Sequence, residues 1–413
     1  MRRRIAIVLA VISAAAILYL TLMPGVGLVA EGWSYSLTSG DAALAELIQN
    51  LILFIPLGVC LTLAGVRPRF VVLIGALLSF GVEFAQRSIP GRDPSVGDII
   101  TNTISTAIGT LLVATARSWL WALPGRSAWQ ARATAVIAVL AWSGTGLMLQ
   151  QSFPPPPYSN VPTPDLEHFG HYKGEVVTVR QARRGLEVLA VAPPYAPGQT
   201  SPLMAMMDTQ QTRVVMLSVD GTDLTLRYAM PALRYTLEQP DLRLRGALKS
   251  VAPGDTFVAA TWRDSTNICL RLNALERCHL GYTIGDGWKL IYFPEGAPAW
   301  MLGLINTLWM MGCVIGVGFW AGRSSGEKDG GEKGGGEKSG GERSGGEGRQ
   351  WGGLAMGTVI AGILMVPLVT GLKPTPVIEW IGTLGGLGAG YVAARRTYGL
   401  GTIRYTSPSN PIR

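Results

Sequence analysis

SFGVEFAQRSIPGRDPSVGDIITN, residues 79–102, sits between two runs apolar enough to cross a bilayer, yet it carries Glu83, Gln86, Arg87, Arg92, Asp93, Asp98 and Asn102. Helical spacing orders these groups. Ser79, Glu83 and Gln86 stand at i, i+4 and i+7 and share one helix face. Asp98 and Asn102 stand at i, i+4, and the preceding apolar run repeats that spacing with Glu46 and Asn50. The connection SIPGRDPSV is short, which predicts antiparallel neighbouring helices whose polar faces meet near one membrane surface. Ionisable groups inside a bilayer are costly and face a bundle interior, where they pair. Arg92 is the expected partner of Glu83 or Asp98. Three readings stay open: polar glue between helices, charges lying in interfacial water, or a site in which two carboxylates and an arginine do acid–base work or grip an anionic head group.

Outward from this stretch, the 413-residue chain is 48% hydrophobic and only 15% charged, where a soluble globular chain has about a quarter charged. The apolar excess falls in eight blocks, at 5–23, 44–66, 70–88, 97–116, 133–152, 299–321, 352–371 and 376–394, each near the ~20 residues that span a membrane as a helix. The first follows Met-Arg-Arg-Arg and has signal-peptide features, with a small-residue site near Ala30. Its length and the spans after it favour a retained anchor. The net charge of +8 invites nucleic acid as a partner, but the arginines are placed as topology signals. With the N-terminus inside, Arg2–Arg4, Arg67, Arg69, Arg117, Arg126, Arg132, Arg395, Arg396, Arg404 and Arg413 fall on the cytoplasmic side, and loop 24–43 has no Lys or Arg, as the positive-inside bias requires. Both termini are then cytoplasmic, and the partners expected are membrane lipids, not nucleic acid.

Residues 153–298 fall outside, between the fifth and sixth blocks. They open with the spacer SFPPPPYSNVPTP, whose prolines favour stiff polyproline II. Short β-like runs follow (EVVTV, LEVLAV, RVVMLSV, LTLRY, LRLRG, TFVAATW, ICLRLN, WKLIYF) with turn residues between them. This pattern predicts an all-β sandwich or jelly roll. Residues 323–350 repeat Gly-Glu-Lys every five positions with no apolar side chain to bury, which predicts a flexible linker rather than a phosphate loop. Cys60 and Cys313 lie inside spans and read as packing residues. Cys269 and Cys278 bracket ICLRLNALERCHL; a hairpin turn at Asn273–Glu276 would set them opposite each other, giving either a disulfide or two thiols on a sheet face.

The order of the polar motifs resembles the VanZ-like family of membrane proteins. The matching stretches are LYLTLMP (Leu18–Pro24), NLILFIPLG (Asn50–Gly58), SFGVEFAQ (Ser79–Gln86) and GRDPSVGDIITN (Gly91–Asn102), followed by Gly109. The resemblance spans roughly residues 5–120. It implies that Asn50, Pro56, Gly58, Ser79, Glu83, Gln86, Arg92, Asp98 and Asn102 are the characteristic positions. It also implies an envelope protein, in a family whose founding member is associated with low-level teicoplanin resistance. Ser105 departs from the pattern: the family commonly has glycine there, which puts a tight helix contact at that level in question.

The stretch from Asp255 to Gly296 is similar to concanavalin A-like, laminin-G-type jelly rolls. That similarity implies a glycan-binding sandwich, with Trp262, Trp288, Tyr282 and Tyr292 as candidates to stack on sugar rings, against the alternative that they fill the core. His168 and His171 stand at i, i+3 with no Cys nearby and no fixed third ligand, and His279 is distant in sequence, so no metal and no cofactor is expected. Asp220–Gly221 and Asp286–Gly287 read as turns. Hydrolase, zinc-protease, redox and nucleotide-binding motifs are absent from the sequence.

The expected organisation is therefore a four-span VanZ-like domain (1–120), a fifth span with its cytoplasmic loop (121–152), an extracytoplasmic sandwich (153–298), a sixth span (299–322), the linker (323–350), and two C-terminal spans with a basic tail (351–413). The leading expectation for function is a bacterial inner-membrane envelope protein whose sandwich recognises an envelope glycan or a lipid-linked cell-wall precursor. Two alternatives accompany it. One is a membrane-embedded enzyme using Glu83 and Asp98 as acid–base pair and Arg92 as anion clamp, with Asn50, Ser79, Gln86 and Asn102 binding. The other is a proton-coupled transporter, for which no internal repeat links the spans.

Overall fold

The computed structural model of the chain describes residues 2–24, 32–35, 42–120, 126–166, 169–182, 185–264, 267–326 and 344–402. Ala30 and most of the first loop, His168, the repeats at 327–343 and the basic tail from 403 onward lie outside the described residues.

The helices are α1 Arg2–Leu22, α2 Ala43–Leu53, α3 Ile55–Leu63, α4 Pro68–Gln86, α5 Val96–Ala114, α6 Ala116–Leu120, α7 Arg126–Leu149, α8 Ala299–Gly326, α9 Ser344–Thr370 and α10 Val377–Thr402. Among the described residues, eight helical stretches are long and apolar enough to cross a membrane, and they coincide with the eight apolar blocks. The second is α2 and α3 in series. Pro56, in the first turn of α3, has no N–H to donate to the preceding turn, and the break falls at Phe54.

Two compact units form, Met1–Leu123 with Tyr235–Glu238, and Pro124–Arg234 with Gln239–Arg413. In the first, Ile17 of α1, Phe54, Leu57 of α3 and Val82 of α4 make an apolar centre. Within this unit α3 and α5 approach closely. A Cβ added at Gly58 would overlap the Thr106 carbonyl, and one at Gly109 would overlap the Ile55 carbonyl. The tight contact is thus a turn beyond Ser105. Ser105 is fully buried and donates its hydroxyl to the Leu51 carbonyl at 2.5 Å, so the departure from glycine is taken up as an interhelix hydrogen bond.

In the second unit α7 packs on α8 and α9, and α10 lies along α8. Gly382, Gly386 and Gly390 form a small-residue stripe at i, i+4, i+8 that brings the two backbones together; a Cβ at Gly386 would stand 2.5 Å from the Met311 carbonyl. Trp142, Val314, Val359 and Ile363 fill the centre of these helices. The fifth span belongs with this unit, and the seventh and eighth spans pack on it. Helix covers both ends of the expected linker, since α8 runs to Gly326 and α9 begins at Ser344.

Among the described residues the β domain has ten strands: β1 Ser159–Pro162, β2 Glu175–Ala182, β3 Gly185–Val191, β4 Ser201–Met207, β5 Arg213–Asp220, β6 Asp223–Tyr228, β7 Leu242–Leu244, β8 Thr256–Asp264, β9 Asn267–Leu272 and β10 Leu275–Leu280. They form two five-stranded sheets, ordered β1-β4-β5-β6-β7 and β10-β9-β8-β3-β2, antiparallel throughout. Alternation in β3 buries Leu186, Val188 and Ala190, and Leu203, Leu217, Leu224, Phe257 and Leu270 are fully buried with them.

Four expectations change. WKLIYF is not a strand; its first half closes the 3-10 helix Ile284–Leu290. The proline spacer contains β1, which pairs with β4, and β4 itself was not among the expected strands. The β9–β10 turn is Asn273–Ala274, with Leu272 opposite Leu275 and Glu276 already in β10. Asn273 has φ 52°, a left-handed conformation that asparagine tolerates. Cys269 and Cys278 face each other across this hairpin with Cα atoms 4.0 Å apart and are joined as a disulfide. Cys60 and Cys313 are free.

Candidate functional site

The 79–102 stretch folds as the antiparallel pair α4 and α5 joined by a short turn. Most of its polar side chains are bonded, within the stretch or to α1 and α2, while Arg87 and Asp93 are exposed. Ser79 is fully buried, and Glu83 and Asn102 are each 2% exposed. Asn102 Nδ2 donates to Ser79 Oγ at 3.0 Å. One turn nearer the helix ends, Asn50 Nδ2 of α2 donates to Asp98 Oδ1 at 2.8 Å, and the Ser95 N–H donates to Glu83 Oε2 at 2.8 Å. Ser95 is the N-cap of α5, and its hydroxyl accepts from the Gly97 N–H at 3.1 Å. Glu83 therefore lies against the amino end of α5, where the helix dipole favours a negative charge. Gln86 Nε2 donates to the Thr21 carbonyl of α1 at 3.0 Å. The spacing of the sequence thus becomes a ladder of interhelix hydrogen bonds tying α1, α2, α4 and α5.

Arg92 departs from expectation. It pairs with neither Glu83 nor Asp98. Its Nε donates to the Met23 carbonyl at 2.9 Å and its Nη2 to the Leu20 carbonyl at 3.2 Å. These oxygens are at the end of α1, where carbonyls lack intrahelical donors and the dipole attracts a cation. Arg92 is nonetheless within electrostatic reach of Glu83, as is Asp98, and Glu46, exposed on α2, feels Asp98. The turn is further held by the first loop. Ser34 forms a parallel bridge with Ser95, its N–H donating to the Pro94 carbonyl at 2.9 Å and its carbonyl accepting from Val96 at 2.9 Å, while Trp33 stacks on Phe80 at 6.3 Å.

A second buried polar cluster, in the other unit, was not anticipated. The 3-10 helix after β10 starts with a capping box, in which Thr283 and Asp286 bond each other's backbone. Asp286 is 5% exposed. It accepts from the Thr283 N–H at 2.7 Å and Asn306 Nδ2 of α8 at 3.0 Å, and pairs with Lys289 Nζ at 2.6 Å. Burial pushes its carboxyl up, but the Lys289 ammonium and the hydrogen bonds from Lys289, Thr283 and Asn306 outweigh burial and hold it below the usual carboxylate range. Glu379, in the first turn of α10 and 1% exposed, accepts from the Thr283 hydroxyl at 2.5 Å, from Asn306 Nδ2 at 3.0 Å and from the Gly285 N–H at 3.2 Å. Trp288 Nε1 donates to Asn306 Oδ1 at 2.7 Å. The sandwich is thereby locked onto α8 and α10. The sequence held a signal for this: Asn306 and Glu379 are polar residues inside apolar blocks, as Asn50 and Glu83 are.

The other candidates in the sandwich divide by exposure. Tyr282 and Trp288 are buried, Tyr282 donating its hydroxyl to the Pro240 carbonyl at 2.7 Å; neither presents a face to a sugar. Trp262 is half-buried, with the Arg271 guanidinium 5.5 Å from its ring, and Tyr292 is 53% exposed. His171 lies 3.7 Å from Asp165 and His279 is exposed. No group of three His, Cys, Asp or Glu able to hold a metal occurs among the described residues. Asp220 flanks the β5–β6 turn and binds Arg243 at 2.5 Å, and Asp286 belongs to the cluster above.

Residues 9–117 match the model of the VanZ/LLP1 family, so the four-span unit is a VanZ-like domain. No curated protein and no solved structure matches the chain.

Proposed function

We propose that the protein is a multi-pass inner-membrane protein of the bacterial envelope that recognises an envelope component on its extracytoplasmic side. The arginine bias supports this orientation, with both termini cytoplasmic. By span order the 87–95 turn and the 153–298 domain then share the outer side. The observation that carries a binding role for the VanZ-like end is how its polar groups are engaged. Glu83 is held by the Ser95 N–H, Asp98 by Asn50 and Arg92 by α1 carbonyls, so the constellation is an ordered, largely buried cluster rather than a poised acid–base pair. The sandwich supplies a lectin-like surface, with Trp262 and Tyr292 as the aromatic faces still accessible to a sugar ring. Lipid-linked cell-wall precursor or mature envelope glycan is the ligand class, and reduced teicoplanin susceptibility is the phenotype this reading predicts.

The test uses the full chain in detergent. Purified envelope glycan and vesicles carrying lipid-linked precursor are each presented to it, and Trp262→Ala with Tyr292→Ala should weaken capture. Equal capture by the double variant, or none by the wild type, refutes the recognition role of the sandwich.

The enzyme reading has one observation in its favour, the electrostatic proximity of Glu83 and Asp98. It requires Glu83→Gln and Asp98→Asn each to abolish a cellular phenotype while expression persists. Retention of the phenotype in either variant rejects it.

A further inference from the structure

The amide of Asn102 is only half engaged. Its Nδ2 donates to Ser79, but Oδ1 is buried and has no hydrogen-bond partner in the structure. A buried acceptor left unmade costs about 1–3 kcal/mol, and a lipid surrounding offers no water to relieve it. A carbonyl oxygen only accepts, so what completes it is a donor or a cation.

The surroundings decide between these. Glu83 lies four residues from Ser79 on α4 and Asp98 four residues from Asn102 on α5, about 6 Å along each axis. The seam between the two helices therefore holds the Ser79 hydroxyl, the unfilled Asn102 oxygen and the Glu83 carboxylate, with Asp98, half-buried and bonded to Asn50 of α2, at its outer end. Neither carboxylate forms an ion pair among the described residues, since Arg92 is held by the α1 carbonyls. The groups around the unfilled oxygen are themselves oxygens, the donor set of hard cations. Two carboxylates are too few for the ligand charge that tight calcium sites assemble. With Ser79 fully buried and Glu83 and Asn102 each 2% exposed, an ion held at this seam is small and dehydrated, not a lipid ammonium.

We propose that the seam between α4 and α5 binds a single monovalent metal cation, Na+ in preference to K+, through Asn102 Oδ1, Ser79 Oγ and the Glu83 carboxylate. Asp98 completes the charge from the outer side. The ion supplies the missing partner of Asn102 and neutralises intramembrane carboxylate charge. This rests on the burial of the cluster in the VanZ-like domain and not on the ligand of the sandwich.

The experiment is thermal unfolding of the full chain in detergent in sodium, potassium or N-methylglucamine chloride at equal ionic strength. Na+ should raise the melting temperature saturably by a few degrees over N-methylglucamine, and K+ by less. The shift should vanish in Asn102→Leu and Glu83→Gln and survive in Glu379→Gln, which lies in the other unit. Saturable binding of radioactive Na+ to the wild type is the companion measurement, and it holds if a variant fails to fold. Equal melting in all three salts, a Na+ shift that persists in both site variants, or no saturable Na+ binding overturns the proposal. Each of these leaves the envelope-capture experiment untouched, and failure of capture leaves the Na+ result untouched.

Discussion

Replacing Asp286 by Asn tests the cluster that locks the sandwich to α8 and α10. The substitution keeps shape and removes one charge. Every neighbour of the carboxylate is a donor: the Thr283 N–H at 2.7 Å on Oδ2, and Asn306 Nδ2 at 3.0 Å with the Lys289 ammonium at 2.6 Å on Oδ1. An amide has an oxygen on one side and an NH2 on the other, so in either orientation a donor meets a donor. The Lys289 side chain is only 12% exposed and loses its counter-charge. Breaking a buried ion pair from one side costs about 3–5 kcal/mol. Because one side of the amide still accepts, the lower end, about 3 kcal/mol, is expected. At about 2–4 °C per kcal/mol for a unit of this size, melting falls by about 6–12 °C. Tryptophan fluorescence in detergent is the assay, and Trp288, hydrogen-bonded to Asn306 at 2.7 Å, reports from inside the cluster. Lys289→Met added to Asp286→Asn removes the orphaned ammonium, so the double variant should lose less than the two singles together by about 1–3 kcal/mol. The pH dependence has a fixed sign. The folded carboxyl is depressed, so its stabilisation is fully present above the unfolded value of about 3.9 and is lost as pH falls below it toward the folded value. The gap between wild type and Asp286→Asn should be flat above about pH 5 and close on acidification below about pH 4. A loss under about 0.5 kcal/mol, strict additivity with Lys289→Met, or a gap that widens in acid would each refute the assignment, since surface substitutions stay within that range.

Gly109→Ala places a methyl against the Ile55 carbonyl, which is backbone and cannot rotate away; overpacking predicts a loss of about 1–3 kcal/mol, and unchanged unfolding in detergent would contradict the close approach of α3 and α5. Ser105→Ala removes the hydroxyl donor to Leu51 and should cost about 1 kcal/mol, whereas Ser105→Gly, the residue common in the family, should cost at least as much; a stabilised glycine variant would show that the hydroxyl plays no part. Cys269→Ser with Cys278→Ser opens a loop of sequence separation 9, for which chain entropy predicts a loss of about 2–3 kcal/mol; equal protease resistance of β9 and β10 with and without the bridge would argue against it.

The membrane helices were readable because apolar composition over a span length is a local property, and all eight blocks recur as helices. The polar faces were readable for a similar reason: i, i+4 spacing fixes a face before any partner is known. Partner choice was not readable. Arg92 was expected on a carboxylate, since opposite charges attract at any position in a sequence. It binds two α1 carbonyls instead, groups that every residue carries and that only a helix end leaves without donors. The Ser34–Ser95 bridge is likewise backbone to backbone, with no side-chain pattern to announce it.

WKLIYF shows how a correct pattern yields the wrong element. The run is short, apolar and aromatic, as in a buried strand, but Thr283 and Asp286 have capping-box spacing, and that local bonding sets a 3-10 turn there. Gly285 and Gly287 then let the turn approach α10 and α7, since a Cβ at either would overlap Glu379 or Thr145. The two buried carboxylate clusters follow one rule. Glu83 meets a backbone N–H at the start of α5, and Glu379 meets one at the start of the 3-10 helix. Each carboxylate sits where a helix start offers unpaired donors, which offsets part of the cost of its burial. An intramembrane carboxylate in this chain is thus better searched for against helix starts than against arginines, once those starts are known.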